Sequence, residues 1–297
     1  MSGPADPDST VAPGEPRIVV LADAAALADA AADHVVAGLQ AAIADRGVAH
    51  LALTGGSSAP PLYERLVSQD HRAAVDWSRV HLWWGDERLV PRDHPASNAG
   101  LAAAILLEAA ARSGEAHDGT AGTDVEAGLR AGLELPVVNV HPWPVEQAIS
   151  RGDGGAEAAE AYAADLRHWL PSAGGAGPAL DLLLLGVGPD AHVLSAFPGS
   201  LALADDAPIT MAVPAPTHVE PHLPRLTLTL PMVIAARSIL VLASGAAKRD
   251  MLRDVLDGPR DLRRLPAQAA RRPSAAWLLD REAAAGLRSV GDEDRRP

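Results

Sequence analysis

The sequence predicts an α/β protein, a mostly parallel β-sheet with helices on both faces. Two observations carry that expectation. Short apolar runs alternate along the chain with segments whose apolar residues recur at helical spacing. Several of the short runs are apolar at every position rather than at every second one, as strands covered on both faces must be. No internal repeat and no convincing linker interrupts the pattern, so a single domain is expected over residues 17–290.

Taken in order, Arg17–Ala22 (RIVVLA) is the first expected strand, and Ala24–Arg46 a long alanine-rich helix. Val48–Leu53 is a second buried strand, which runs into Thr54-Gly55-Gly56-Ser57-Ser58-Ala59-Pro60 before helical spacing resumes at Leu62–Val67. Val80–Trp84 (VHLWW) is a third strand and Asn98–Ala111 a helix. Val137–Val140 is expected as a short strand and Ala156–Trp169 as a helix, with a glycine-rich loop at Ser172–Pro178. Asp181–Leu185 (DLLLL) is the strongest central strand. Arg225–Leu230 alternates Thr with Leu until Pro231 stops it, and Ser238–Ala243 is another buried strand, followed by a helix over Ala246–Leu256. Trp277–Leu279 and Asp280–Leu287 close the chain as strand and helix.

Composition removes several functions. The net charge of −13 argues against nonspecific nucleic-acid binding, which needs a basic surface to replace phosphate counterions. An anionic small molecule is still allowed where a few cations cluster against the global field. The absence of cysteine excludes disulfides, thiolate metal sites and cysteine nucleophiles. No apolar run reaches the ~18 residues a membrane span requires. Met1–Pro16, rich in Pro, Gly, Ser and Asp, lacks a basic-then-apolar signal pattern and reads as a disordered leader, and residues 291–297 read as a disordered tail. The expected location is the cytoplasm.

Ligands of open parallel sheets bind at the carboxyl ends of the strands, and four loops follow strands here. Thr54–Pro60 places Gly55, Gly56 and Ser57 before a helix, which is either a phosphate cradle or an ordinary tight turn. Asp86, Glu87 and Arg88 directly follow an apolar strand. Charges there are costly to bury unless paired, so they form either a salt-bridged corner or a site. Gly186-Val187-Gly188-Pro189-Asp190-Ala191-His192 presents a histidine that titrates near neutrality, with Asp190 placed to orient it. Arg225 and Lys248, the latter opening a helix, either hold a phosphate together or are separate surface cations. The remaining histidines, including His50, His81 and His141, are scattered without metal-ligand spacing, so no metal and no cofactor is expected.

In order, the segments LALTGGSSAPPLYERL, VHLWWGDERLVPRDHPASN, DLLLLGVGPDAHVLSAFPG and RLTLTLP…LVLASGAAKRDMLRDVL resemble the 6-phosphogluconolactonase family, over about residues 17–287. The resemblance implies a Rossmann-like fold shared with glucosamine-6-phosphate deaminases and ribose-5-phosphate isomerases. It implies hydrolysis of 6-phosphoglucono-δ-lactone to 6-phosphogluconate in the oxidative pentose phosphate pathway. Carried over by position, His192 is the base, Arg88 stabilises charge on oxygen or substrate, and Asp86 and Asp190 orient the site. Gly55, Gly56, Ser57, Arg225 and Lys248 then hold the substrate, chiefly its phosphate. The expected partner is the sugar-phosphate lactone, with no nucleic acid and no membrane, the protein acting as a monomer or weak homodimer.

Two departures stand out. Ala191 occupies a position where the family usually has glycine, which implies either backbone strain or a methyl crowding the substrate. The stretch THVEPHLP before Arg225 lacks the expected Lys-Pro-Pro. The alternatives are a degenerate sugar-phosphate-binding homologue without turnover and an aminosugar-phosphate deaminase or isomerase, the latter needing an acid downstream of His192 that Ser195, Ala196 and Phe197 do not supply.

Overall fold

A computed structural model of the chain describes residues 14–107, 132–171 and 177–288. Most of the expected leader, the whole tail, residues 108–111 of the expected third helix and most of the glycine-rich loop at 172–178 lie outside the described residues.

Seven strands form one sheet: β1 (Arg17–Leu21), β2 (Ala49–Leu53), β3 (Val80–Trp84), β5 (Val140–His141), β6 (Leu182–Gly186), β9 (Ser238–Ala243) and β10 (Ala275–Asp280). Their spatial order is β1-β10-β9-β6-β2-β3-β5, and every neighbouring pair is parallel. β2, β3 and β10 are buried at every residue, so water reaches neither face of the middle of the sheet. This is the physical reason that these strands read as continuous apolar runs.

The helices are α1 (Ala24–Arg46), α2 (Ala59–Leu66), α3 (Gln69–Ala73), α4 (Asn98–Ala102), α5 (Val145–Arg151), α6 (Ala156–Trp169), α7 (Leu230–Ala235), α8 (Arg249–Leu256) and α9 (Arg281–Ala284). α1 starts where the Asp23 carboxylate accepts from the N–H groups of Ala25 and Ala26. It buries Leu27, Ala31, Val35, Leu39 and Ala42, a stripe at three- and four-residue spacing. Among the described residues no helix is long and apolar enough to cross a membrane.

Trp83, Trp84 and Trp143 all pack in the core. Three histidines far apart in sequence join them. His141 stacks on Trp83 with ring centroids 3.9 Å apart, His81 Nδ1 lies 2.9 Å from His141 Nε2, and Trp83 Nε1 donates to His50 Nδ1 at 3.2 Å.

The structure corrects three expectations. Val137–Asn139 is a 3-10 turn, and the strand is the two-residue β5 beyond it. Asn98–Ala102 gives way to a π-helical turn at Ala103–Leu107. The alternating segment ends as a strand at Leu228, because Pro231 sits in the first turn of α7. That strand, β8 (Arg225–Leu228), pairs antiparallel with β4 (Asp86–Arg88) and β7 (Thr210–Val213) in a second, three-stranded sheet.

β2 is followed outward on one side by β3 and β5, whereas β6, β9 and β10 continue on the other side towards β1. The order therefore reverses between β2 and β6. At such a switch point the loops diverge and leave a crevice.

Candidate active site

The crevice is a cavity of about 220 Å³. Five stretches build it: the loop after β2, the β4 strand that follows β3, the loop after β6, the segment that leads into β8, and the end of β9 with the segment after it. Every site residue expected from the sequence except Asp190 lines it: Gly55, Gly56 and Ser57, Asp86 and Arg88, and His192, Arg225 and Lys248. Asp190 stands behind His192.

The β2 loop is clamped from below. Tyr63 OH donates to the Thr54 carbonyl at 2.6 Å, and Gly186 N–H donates to Thr54 Oγ1 at 3.3 Å, which joins the ends of β2 and β6. A Cβ at Gly55 would lie 2.0 Å from Asn98 Oδ1, so only glycine fits beside that amide. Asn98 in turn donates from Nδ2 to the Asp86 carbonyl at 2.9 Å and to its Oδ1 at 3.2 Å. Ser195 Oγ donates to Asp86 Oδ2 at 2.6 Å, so both carboxylate oxygens are held. Ser195 is fully buried and faces Asp86 rather than the cavity, which removes it as a nucleophile.

Glu87 is turned away from the cavity and acts on α4. Its carboxylate accepts from the N–H groups of Asn98 at 2.8 Å and Ala99 at 2.6 Å and from Ser97 Oγ at 3.2 Å. Burial still raises its pKa above the ordinary carboxylate value, against those donors. The Asp-Glu-Arg run is thus divided: Glu87 is structural, while Asp86 and Arg88 face the cavity.

Arg88 donates to the Ala96 carbonyl at 2.8 Å, Arg225 to the Pro221 carbonyl at 3.0 Å, and Lys248 to the Val187 carbonyl at 2.6 Å. Among the described residues none of the three forms an ion pair, and Nε of both arginines is buried without a partner. Burial depresses Arg225 below its ordinary pKa; Asp86 opposes this shift, Arg88 adds to it, and Asp190 opposes it. Lys248 is also depressed by burial, with Asp190 opposing. Three incompletely paired cations around one cavity, in a chain of net charge −13, make a site for an anion.

His192 Nδ1 lies 2.5 Å from Asp190 Oδ1, and among the described residues Nε2 takes no hydrogen bond. Since a carboxylate only accepts, Nδ1 carries the proton and the neutral ring has its lone pair on Nε2. Burial pushes Asp190 up, but hydrogen bonds from His192 and His218 outweigh it and hold its carboxyl below the usual range. The ring lies against Gly188, where a Cβ would come within 2.0 Å of both Cε1 and Nδ1. Ala191 adopts φ 65°, the left-handed region, as does Leu194 at 55°. The Ala191 methyl is buried outside the cavity, so the glycine-to-alanine departure acts through the backbone rather than by crowding a ligand.

The sequence singles out neither Gly188 nor Asn98 nor His218, and it offers Ser195 only as a nucleophile outside any G-x-S-x-G elbow, not as a support for Asp86. Gly188 and Asn98 stood in the quoted loops, but nothing local signals a glycine under an imidazole or an amide aimed at a carboxylate. Among the described residues no group of three or more His, Asp or Glu is arranged to hold a metal ion.

Fold and site together define an α/β protein with a cationic, histidine-bearing cavity at the switch point of a parallel sheet. The chain belongs to the glucosamine-6-phosphate isomerases/6-phosphogluconolactonase family, whose model matches residues 22–279. It is 33% identical over 275 residues to a 6-phosphogluconolactonase of Synechocystis, covering 92% of this chain and 99% of that one. A 6-phosphogluconolactonase of Streptomyces coelicolor is 34% identical over 281 residues, covering 92% and 95%. Among solved structures, the 6-phosphogluconolactonase from Trypanosoma brucei matches with a TM-score of 0.75 at 26% identity, covering 92% and 99%.

Proposed function

We propose that the chain hydrolyses 6-phospho-D-glucono-1,5-lactone to 6-phospho-D-gluconate, with His192 activating water. The observation that carries this reading is the His192–Asp190 pair, which presents Nε2 to a cavity ringed by Arg88, Arg225 and Lys248. Arg225, Lys248 and the Gly55-Gly56-Ser57 turn hold the phosphate and so fix the lactone carbon near the imidazole. Nε2 takes a proton from water as the water oxygen bonds to the carbonyl carbon. Arg88 stabilises the negative oxygen of the tetrahedral species, and Asp190 stabilises the imidazolium. Collapse breaks the bond from that carbon to the ring oxygen, which receives the proton from Nε2, leaving the open-chain acid. Asp86, held by Ser195 and Asn98, orients the substrate beside Arg88.

The deaminase reading is less well supported, because the acid it expects downstream of His192 is absent and Asp86 already has both oxygens engaged. We place the reaction in the cytoplasm, with a small sugar phosphate as the substrate.

The test is hydrolysis of freshly generated lactone, followed through a dehydrogenase that consumes the product and compared with an enzyme-free control. Acceleration that disappears in His192→Ala is the expected result. Binding of phosphogluconate without acceleration would mean a degenerate homologue.

A further inference from the structure

We infer that His218 is a positioning residue for the proposed hydrolysis, holding Asp190 from the side opposite His192; the inference rests on that reading of the site. The Asp190 carboxylate is divided between two histidines. Oδ1 takes His192 Nδ1 at 2.5 Å and Oδ2 takes His218 Nε2 at 2.8 Å. A carboxylate held through one oxygen swings about its last side-chain torsion, and the imidazole it orients swings with it. Donors on both oxygens fix the carboxylate plane and therefore the direction in which His192 Nε2 points.

The surroundings favour a built contact. Phe197, the only phenylalanine in the chain, packs against both imidazoles, its ring centroid 4.7 Å from that of His192 and 5.9 Å from that of His218. The Arg225 guanidinium lies over the same ring at 5.4 Å. The segment that carries His218 is braced from within, since His222 Nδ1 donates to the Pro216 carbonyl at 2.7 Å and Arg225 donates to that of Pro221. Val219, the next residue, lines the cavity. His218 itself does not line it and its side chain is 52% exposed, so it acts through Asp190 and not on the substrate.

Steady-state kinetics of His218→Ala and His218→Gln test the inference, with His192→Ala as the reference. One charge-assisted hydrogen bond half open to water sets the scale. On that scale kcat of His218→Ala falls roughly three- to tenfold, KM stays within about twofold, and the thermal midpoint does not move. His218→Gln, which keeps an N–H donor, recovers most of kcat. In histidine-15N-labelled, ligand-free protein, the Nδ1–H resonance of His192, assigned by its loss in His192→Ala, shifts in His218→Ala. An unchanged kcat with an unmoved resonance would overturn the inference, as would a loss that appears only in KM. Should the wild type show no lactone hydrolysis, the functional reading fails, and the resonance alone decides whether His218 positions the pair.

Discussion

Arg88 and Arg225 stand directly opposite each other across the β4–β8 ladder, two cationic residues in register and, among the described residues, neither paired to a carboxylate. Like charges at facing positions of an antiparallel pair repel, and both side chains give up hydration to reach the cavity. Such an arrangement becomes favourable when an anion sits between the two cations. The functional reading and the stability of the ligand-free protein therefore meet in one pair of residues.

Inorganic phosphate should accordingly stabilise the protein. At about 100 times its dissociation constant the linkage is worth ~2.7 kcal/mol, a rise in thermal midpoint on the order of 5 °C for a chain of this size. Chloride at matched ionic strength should not reproduce it. Arg225→Met should abolish the phosphate response. Because it also ends the repulsion with Arg88, its ligand-free midpoint should hold or rise. Thermal denaturation with and without phosphate decides, and an equal response in the variant would move the anion site elsewhere.

Gly188→Ala should remove activity without unfolding the chain. Its φ is ordinary, and the three atoms nearest the added methyl all belong to the His192 ring, the first at 2.0 Å. The ring must move, and a displacement of about 1 Å at a catalytic group costs on the order of 100-fold. Circular dichroism and kcat measured on the same sample test this. Near-normal turnover would show that the ring does not sit where the base is needed.

At Ala191 two terms oppose each other. Glycine would relieve a left-handed backbone costing about 1–2 kcal/mol, but would lose a buried methyl and gain unfolded-state entropy of similar size. Ala191→Gly should then lie within ~1 kcal/mol of wild type in urea denaturation. Ala191→Val adds β-branching at φ 65° and should lose more than about 2 kcal/mol, with a matching fall in kcat as the His192 loop distorts. A valine variant as stable as wild type would contradict the backbone account.

The buried histidines set an acid limit on stability. Burial, then His81, His141 and Arg46, depress His50 to about 3, and burial and His81 depress His141 to about 4, from an ordinary 6.5. Between 6.5 and those values the unfolded chain takes up protons that the folded chain refuses. Stability is therefore full above about pH 6.5 and declines as pH falls towards 4. Urea midpoints from pH 7 to pH 4.5 should show this slope, and His141→Gln should flatten it. Equal slopes would place the acid sensitivity in other groups.

What the sequence revealed and what it hid follow from how local each signal is. The strands VHLWW and DLLLL were readable because burial on both faces makes every position apolar. The small sheet was not, because β4 is three charged residues whose strand character exists only through pairing with β8, 137 or more residues away. That the Gly55 turn, Arg88 and His192 line one cavity was legible because the loops at the ends of parallel strands meet there. Their supports were not, since an Asn98 amide or a His218 imidazole finds its carboxylate only after distant segments pack. The three core histidines looked scattered for the same reason.

Ser195 separates support from chemistry most sharply. A serine near a histidine in a hydrolase invites a nucleophilic role, yet its Oγ is fully buried and spends its proton on Asp86 Oδ2. Ser195→Ala leaves that carboxylate oxygen without its donor, at a cost of about 1–3 kcal/mol in stability. Asn98 still holds Oδ1, so Asp86 should keep its place and kcat should fall less than about tenfold. A covalent nucleophile would instead lose several orders of magnitude on the same change. The two cases also differ in a burst experiment, where rapid mixing of lactone with stoichiometric enzyme should give no acyl-enzyme phase. A burst lost in Ser195→Ala would show that the serine moves to the substrate, and that water activated by His192 attacks only in a second step.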